Sequence, residues 1–178
     1  MKAPADSLKV FAVCAPGLEP YAAQELRQLG VLLSEGNFSS PQDAGEEEGG
    51  IEFSATLPDI YHANLHLRTA SRILVRLGEF YAAAFSELRK KAGRLPWERY
   101  LKPGRPVAFH VTCRKSRLYH SDAVAERIRG AIQDHLGVIP PVVKAKEESD
   151  SPQPQLVVVR LVHDLCTISI KQYTLYNR

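Results

Sequence analysis

The sequence has only three cysteines, Cys14, Cys113 and Cys166, odd in number and far apart. That spacing excludes a disulfide framework and a Cys-x-x-Cys metal knuckle. Each lies in an apolar, strand-like stretch, so buried reduced thiols are expected. No apolar run approaches the roughly 18–20 residues that a bilayer-spanning helix needs, and no membrane partner is expected. Residues 1–8 lack the charged-then-apolar pattern of a secretory signal, which points to the cytoplasm. Catalytic signatures are missing as well: no Gly-x-Gly-x-x-Gly after a strand, no Walker loop, no Gly-x-Ser-x-Gly, no His-Glu-x-x-His and no spaced carboxylate pair. Gly17 and the pair Gly49-Gly50 stand too far apart in sequence to read as a phosphate cradle. The expectation is a chain that performs no chemistry by itself.

What the sequence does have is a lopsided charge. Residues 68–129 hold 15 Lys and Arg against 5 Asp and Glu, a net of +10 in a 178-residue chain whose total is only +3. The remainder is therefore acidic. A basic segment of this kind favours a bound polyanion, because neutralised phosphates release their condensed counterions. Nucleic acid is the first partner to consider. With 44% hydrophobic residues and 24% charged, the chain can bury one sizeable core or two small ones.

Periodicity supplies the architecture, an α+β chain. Residues 8–14 read as a buried strand, and Leu18, Ala22, Leu26 and Leu29 recur at helical spacing until Gly30 closes the helix as a left-handed cap. Residues 31–38 can return as a strand, 39–50 read as a solvated loop carrying Glu46-Glu47-Glu48, and 51–55 as a further strand. Thr56 can cap a second helix, with Asp59 three residues on, Pro58 in the first turn and a stripe of Leu57, Ile60, Tyr61 and Leu65. Residues 72–81 alternate as a half-buried strand. The order β-α-β-β-α-β is the split βαβ arrangement of a ferredoxin-like domain, assigned to residues 1–81.

The second half, residues 82–170, reads α-α-β-α-β-β. Phe85, Leu88, Ala92 and Leu95 form one stripe, and Pro96 ends that helix and can start a short one through Trp97 and Tyr100. A Pro-Gly turn over 102–106 leads to a strand at 107–113. Ser121 can cap a helix with the stripe Val124, Ile128, Ile132 and Leu136, ending at Gly137. After a loop at 144–155, two strands (155–162 and 165–170) form a hairpin turning at His163-Asp164.

The most pointed cluster lies between a strand and a helix start: Arg114, Lys115, Ser116, Arg117, Tyr119, His120 and Ser121. Helix N-termini carry unpaired N–H groups, and cations and hydroxyls beside them suit phosphate and ribose oxygens. The same residues also fit a solvated turn. A second basic group comprises Lys90, Lys91, Arg94, Arg99, Lys102 and Arg105, equally compatible with the polar face of two short helices. Arg72 and Arg76 share one strand face and can be paired internally. Trp97 and Tyr100 can stack on a base or sit in the core. His62 and His66, four apart, could hold a metal, but no third ligand is evident and surface histidines are expected. No metal is called for.

Several of these residues, in this order, resemble bacterial RNA methyltransferases that carry a THUMP domain. The matching pieces are Ala15-Pro16-Gly17-Leu18-Glu19 with Glu25-Leu26 and Leu29-Gly30, then residues 68–74, residues 85–88, Leu95-Pro96-Trp97-Glu98 and residues 114–121. The resemblance implies a ferredoxin-like domain followed by a THUMP domain, a pair that together captures structured RNA. It also implies a separate Rossmann-like domain that uses S-adenosylmethionine, supplied in cis or in trans. The members that look most alike methylate guanine N2 in large-subunit ribosomal RNA, and relatives act on transfer RNA. By carry-over, Lys115, Ser116, Arg117, His120 and Ser121 become RNA contacts, with Lys102 and Arg105 less directly. Neither that domain's cofactor glycines nor its Asn-Pro-Pro-Tyr-type loop appears. Residues 171–178 do not look like the family's continuation, so they are read as a tail or truncated linker and the chain as a fragment or an early-ending product. A second hypothesis is a stand-alone adaptor that presents transfer RNA to a separate enzyme. A third, an acylphosphatase-like hydrolase, lacks the arginine loop it would need near the first strand.

Overall fold

The computed structural model describes residues 7–31, 49–143 and 154–171. They divide into two units, one taking the chain up to Arg76 together with Lys171, the other running Leu77–Ile170. The expected strand at 31–38 lies outside the described residues, except for Val31, as do most of the loop at 39–50 and most of that at 144–155.

In the first unit, β1 (Leu8–Cys14) pairs antiparallel with both β2 (Gly50–Ala55) and β3 (Ala70–Tyr81), Val10 standing opposite Phe53 and Val75. Helices α1 (Glu19–Gln28) and α2 (Leu57–His66) contribute Ala22, Ala23, Leu26, Ile60 and Ala63 to the core beside Val10, Phe53, Ile73 and Val75. Gly30 closes α1 at φ 72°, with its N–H on the Arg27 carbonyl and the Val31 N–H on that of Leu26, as expected of a left-handed cap. Asp59 Oδ2 accepts from both the N–H and the hydroxyl of Thr56 at 3.1 and 2.6 Å, which fixes the start of α2 where the sequence puts it. The expected stripe on α2 needs correction. Leu57 and Leu65 are exposed, and Ala63 is buried in their place, because its small side chain lets the helix approach closely along a narrow line with Ile60.

In the second unit the strand order is β3-β6-β5-β4, with residues 77–81 of β3 at one edge. β4 (Val107–Arg114) runs parallel to β5 (Gln155–Val162), and β6 (Leu165–Lys171) returns antiparallel through a two-residue turn. That turn is His163-Asp164, both at positive φ (48° and 64°), the backbone twist that two-residue hairpins prefer. α3 (Phe85–Ala92) and α4 (Ser121–Leu136) cover one face of the sheet. Leu88, Ala92, Val124, Ile128 and Ile132 pack there against Val157, Val159, Leu161, Ile168 and Ile170. A Cβ on Gly78 would strike Leu95, so this glycine allows the segment after α3 to lie close on β3. Between α3 and β4 the chain makes a short 3-10 turn, Trp97–Arg99, which realises the expected second helix. Trp97 is wholly buried, and its indole N–H donates to the Ala92 carbonyl at 2.7 Å. Base stacking by Trp97 is therefore ruled out.

Cys14 and Cys166 are buried and Cys113 is half-buried, not fully enclosed as expected; all three are free thiols. Burial, with Cys113 nearby, pushes the Cys166 thiol up to about 12.

A cluster at the C-terminal end of α4 ties the helices together. His135 Nδ1 meets the Gly93 carbonyl at 2.9 Å, and Nε2 meets Glu98 Oε2 at 2.6 Å. Both partners accept, so the ring makes both bonds only when protonated. The Gly93 carbonyl, followed by the Glu98 carboxylate, holds His135 above its ordinary value. A histidine raised on folding contributes stability that is complete below its unfolded pKa and fades as pH rises through the folded one. The midpoint of thermal unfolding should thus fall between about pH 6 and about pH 9 more steeply in the wild type than in His135→Gln. Parallel pH profiles in a thermal melt would show that the contact carries no stability.

Candidate nucleic-acid interface

The loop between β4 and α4 follows from two anchors. Leu118 is buried at 4% exposure and holds the middle of the segment to the core. Asp164, in the β5–β6 turn, holds the rest. Its Oδ1 accepts the Arg117 N–H at 2.7 Å, its N–H donates to Ser116 Oγ at 3.0 Å, and its carbonyl accepts the Ala82 N–H at 2.8 Å. Ser116 Oγ in turn donates to the Arg114 carbonyl at 3.1 Å. Lys115 takes a left-handed φ of 48°, which turns the chain sharply out of the strand. For a non-glycine residue this costs about 1 kcal/mol or more, held by the surrounding bonds.

Arg114, Lys115, Arg117, Tyr119, His120 and Ser121 all face solvent on this frame, and Ser116 is half-buried. Arg117 Nε lies 3.7 Å from Asp164 Oδ2, an exposed pair that does little to neutralise the arginine. One expectation fails: Ser121 does not cap α4. It is the first helical residue, and His120 occupies the cap position without a side-chain bond, its carbonyl accepting from Val124 N–H. The burial of Leu118 sets the entry to the helix one residue earlier than the serine would.

The second basic group does not join the first. Lys102 and Arg105 are exposed in the turn before Val107, whereas Arg114 ends the same strand. Eight extended residues put the two groups about 23 Å apart. Arg94 follows Gly93, whose carbonyl meets His135 near the other end of α4 from Ser121. Lys90 is exposed on α3. Lys91 is engaged, donating to the Tyr81 carbonyl at 2.7 Å and to Glu87 at 2.6 Å. Arg89 is likewise occupied by a two-pronged bond to Asp134 at 2.7 and 2.8 Å. In the first unit, Arg76 pairs with Glu52 at 3.3 Å and lies over the Phe11 ring at 4.4 Å. Sequence proximity grouped all these cations; strand length and local acids separate them.

His62 and His66 are exposed with their rings edge to face at 4.5 Å, and no group of three metal-ligating residues occurs among the described residues. Gly17 and Gly49, judged too distant to act together, do converge: both donate their N–H to the Glu19 carboxylate, at 2.7 and 3.0 Å. The pairing of β1 with β2 brings them together, and an internal carboxylate fills the cradle. Backbone donors, beginning with its own N–H, hold Glu19 below the ordinary glutamate range. No signal in the sequence marked this convergence. No helix among the described residues is long and apolar enough to cross a membrane.

Two family models match this chain: the RlmL ferredoxin-like domain over residues 9–74 and the THUMP domain over residues 82–171. The chain belongs to the THUMP-domain family. The ferredoxin-like and THUMP assignments drawn from the sequence both hold. Among curated proteins it is 33% identical over 127 residues to ribosomal RNA large subunit methyltransferase K/L of Syntrophotalea carbinolica, covering 71% of this chain and 16% of that protein. The protein of the same name from Methylococcus capsulatus is 33% identical over 124 residues, with 70% and 15% covered. This chain thus spans about a sixth of the length of these relatives. A solved structure described as a "predicted N6-adenine-specific DNA methylase" from Listeria monocytogenes superposes with a TM-score of 0.70 at 28% identity, covering 93% of this chain and 40% of that one. The chain therefore corresponds to the THUMP-containing region of proteins named as methyltransferases, and the Arg114-to-Ser121 loop lies inside its THUMP domain.

Proposed function

We propose that this chain is the RNA-recognition region of an enzyme that methylates guanine N2 in 23S ribosomal RNA. Catalysis belongs to a Rossmann-like domain outside these 178 residues, supplied in cis or in trans, where S-adenosylmethionine would bind as methyl donor. The chain's own task is positioning in the cytoplasm. Arg114, Lys115 and Arg117 neutralise phosphates, while Ser116, His120 and Ser121 offer hydrogen bonds to phosphate or ribose oxygens. Lys102, Arg105, Lys90 and Arg94 are exposed on other parts of the unit, where a longer RNA could reach them. Lys91 contributes less, being held by Glu87 and the Tyr81 carbonyl. Because A-form RNA is read mainly by shape and 2′-hydroxyls, weak sequence preference is expected of the region alone.

The observation that carries this reading is the exposed run Arg114, Lys115 and Arg117, fixed in one turn by Asp164 within a THUMP domain. The names of the curated relatives favour ribosomal RNA as substrate. The test is to crosslink the chain to total cellular RNA, with DNA of matched sequence as competitor, and to sequence what is recovered. Enrichment of one 23S region, resistant to DNA, is expected. Enrichment of transfer RNA would move the substrate, and recovery of nothing above background, or displacement by DNA, would overturn the reading.

A further inference from the structure

β4 lies at one side of the second unit's sheet, in the order β3-β6-β5-β4, and only its start is covered. Val107 turns both backbone groups away from β5. Its N–H donates to the Pro141 carbonyl at 2.9 Å, and its carbonyl accepts the Val143 N–H at 3.0 Å. Val142 thus stands beside Val107 as a one-residue parallel bridge. Backbone direction alternates along a strand, so the N–H and carbonyl of Phe109, Val111 and Cys113 point the same way as those of Val107. No described residue bonds them there. β4 pairs with β5 in unbroken register over residues 107–114, and residues 107–113 include no proline, lysine, arginine or acid. A bulge, a very short strand or a charge, the devices that usually close a sheet edge, are therefore missing from it. The edge accepts a strand, as Val142 already demonstrates.

The surroundings define which strand fits. Phe109, Val111 and Cys113 are half-buried against the core, while His110 and Thr112, on the alternate positions, are exposed. An added strand gains from apolar residues opposite the first three and polar ones between them. Lys102 and Arg105 stand exposed before the edge, and Arg114 stands exposed at its end. Two copies of the chain paired about a twofold axis at Val111 would turn Arg114 of each toward Arg105 of the other, and like charges oppose that pairing. An acidic strand meets attraction at both ends instead. We propose that the edge of β4 over residues 109–113 binds an extended peptide of another protein, alternating apolar and acidic residues, as an added strand. This contact does not depend on the RNA-recognition reading above.

The test uses the 178-residue chain and a peptide alternating valine and glutamate, with a valine–lysine peptide as control. The first should bind and slow hydrogen exchange at the N–H groups of Phe109, Val111 and Cys113 by about tenfold or more, and the second should do neither. Lys102→Glu combined with Arg105→Glu should weaken the valine–glutamate peptide about tenfold. Versions of that peptide N-methylated at the valines or at the glutamates should differ in affinity by about tenfold or more, since only one set of N–H groups faces β4. Val111→Pro removes one donor at an edge position that tolerates proline, and should abolish the protection. If that variant does not fold, the N-methylated pair decides alone. No binding, unchanged exchange, or equal affinities of the two N-methylated peptides would overturn the proposal. Protection without peptide that rises with protein concentration would overturn it in favour of a second copy. Protection by an RNA duplex but not by the peptide would overturn it in favour of RNA.

Discussion

Replacing Arg114, Lys115 and Arg117 together by glutamate lowers the affinity for structured RNA by about 100-fold or more. A hydrogen bond to a charged group is worth about 1.5 kcal/mol at the low end, and three of them lost come to roughly three decades; solvent screening at this exposed loop trims the figure. Each new glutamate also repels the phosphate it meets. The slope of log affinity against log salt should shrink by roughly 2 to 3, because three fewer counterions are released. A filter-binding series at several salt concentrations checks both numbers. The variant should melt within a few degrees of the wild type, since these side chains face solvent and only the weak Arg117–Asp164 pair is broken. An unchanged dissociation constant and slope would remove the loop from the interface. Asp164→Asn in the same assay should move affinity the opposite way, since the amide oxygen can still accept the Arg117 N–H while one negative charge leaves the cluster.

The role of Asp164 shows where a reading of the sequence stops. The hairpin and its turn at His163-Asp164 follow from two apolar runs separated by two residues, a local pattern. That the same aspartate fastens the loop 47 residues earlier does not, because the bond depends on where β4 ends relative to β5. Periodicity likewise yielded α4, the strands of the second unit and α3, except that α3 ends at Ala92 with Gly93 as its cap rather than at Pro96. It misjudged α2, where Ala63 rather than Leu57 or Leu65 faces inward. Small residues carry too little hydrophobic signal to announce a close approach. The charge of residues 68–129 was plain in the sequence, but its distribution was not. Arg89 meets Asp134 and Arg76 meets Glu52 through tertiary contacts, whereas Arg114, Lys115 and Arg117 stay exposed. Composition counts charges; only the fold decides which of them have already been answered.

Trp97→Ala should be the most damaging single substitution for stability. Trp97 is the chain's one tryptophan and has no exposed surface, and it packs in the cluster that joins α3 and α4 to the sheet. Truncating a buried Trp to Ala costs about 3–5 kcal/mol through lost burial and the cavity left behind. The Ala92 carbonyl also loses the indole N–H and keeps only the longer bond from the Leu95 N–H, at 3.2 Å. For a unit of this size each kcal/mol moves the unfolding midpoint by about 4–8 °C, so a fall of roughly 15–30 °C is expected by circular dichroism. Trp97→Phe refills most of the volume and should recover well over half of that loss, leaving mainly the missing hydrogen bond. Below the variant's melting temperature, RNA affinity should change little. Trp97 precedes the start of β4, whereas the Arg114 loop follows its end and is held independently by Leu118 and Asp164. If Trp97→Ala weakened binding as much as the charge reversal while still folded, the recognition surface would have to include the Lys102–Arg105 turn that Trp97 and Leu101 support.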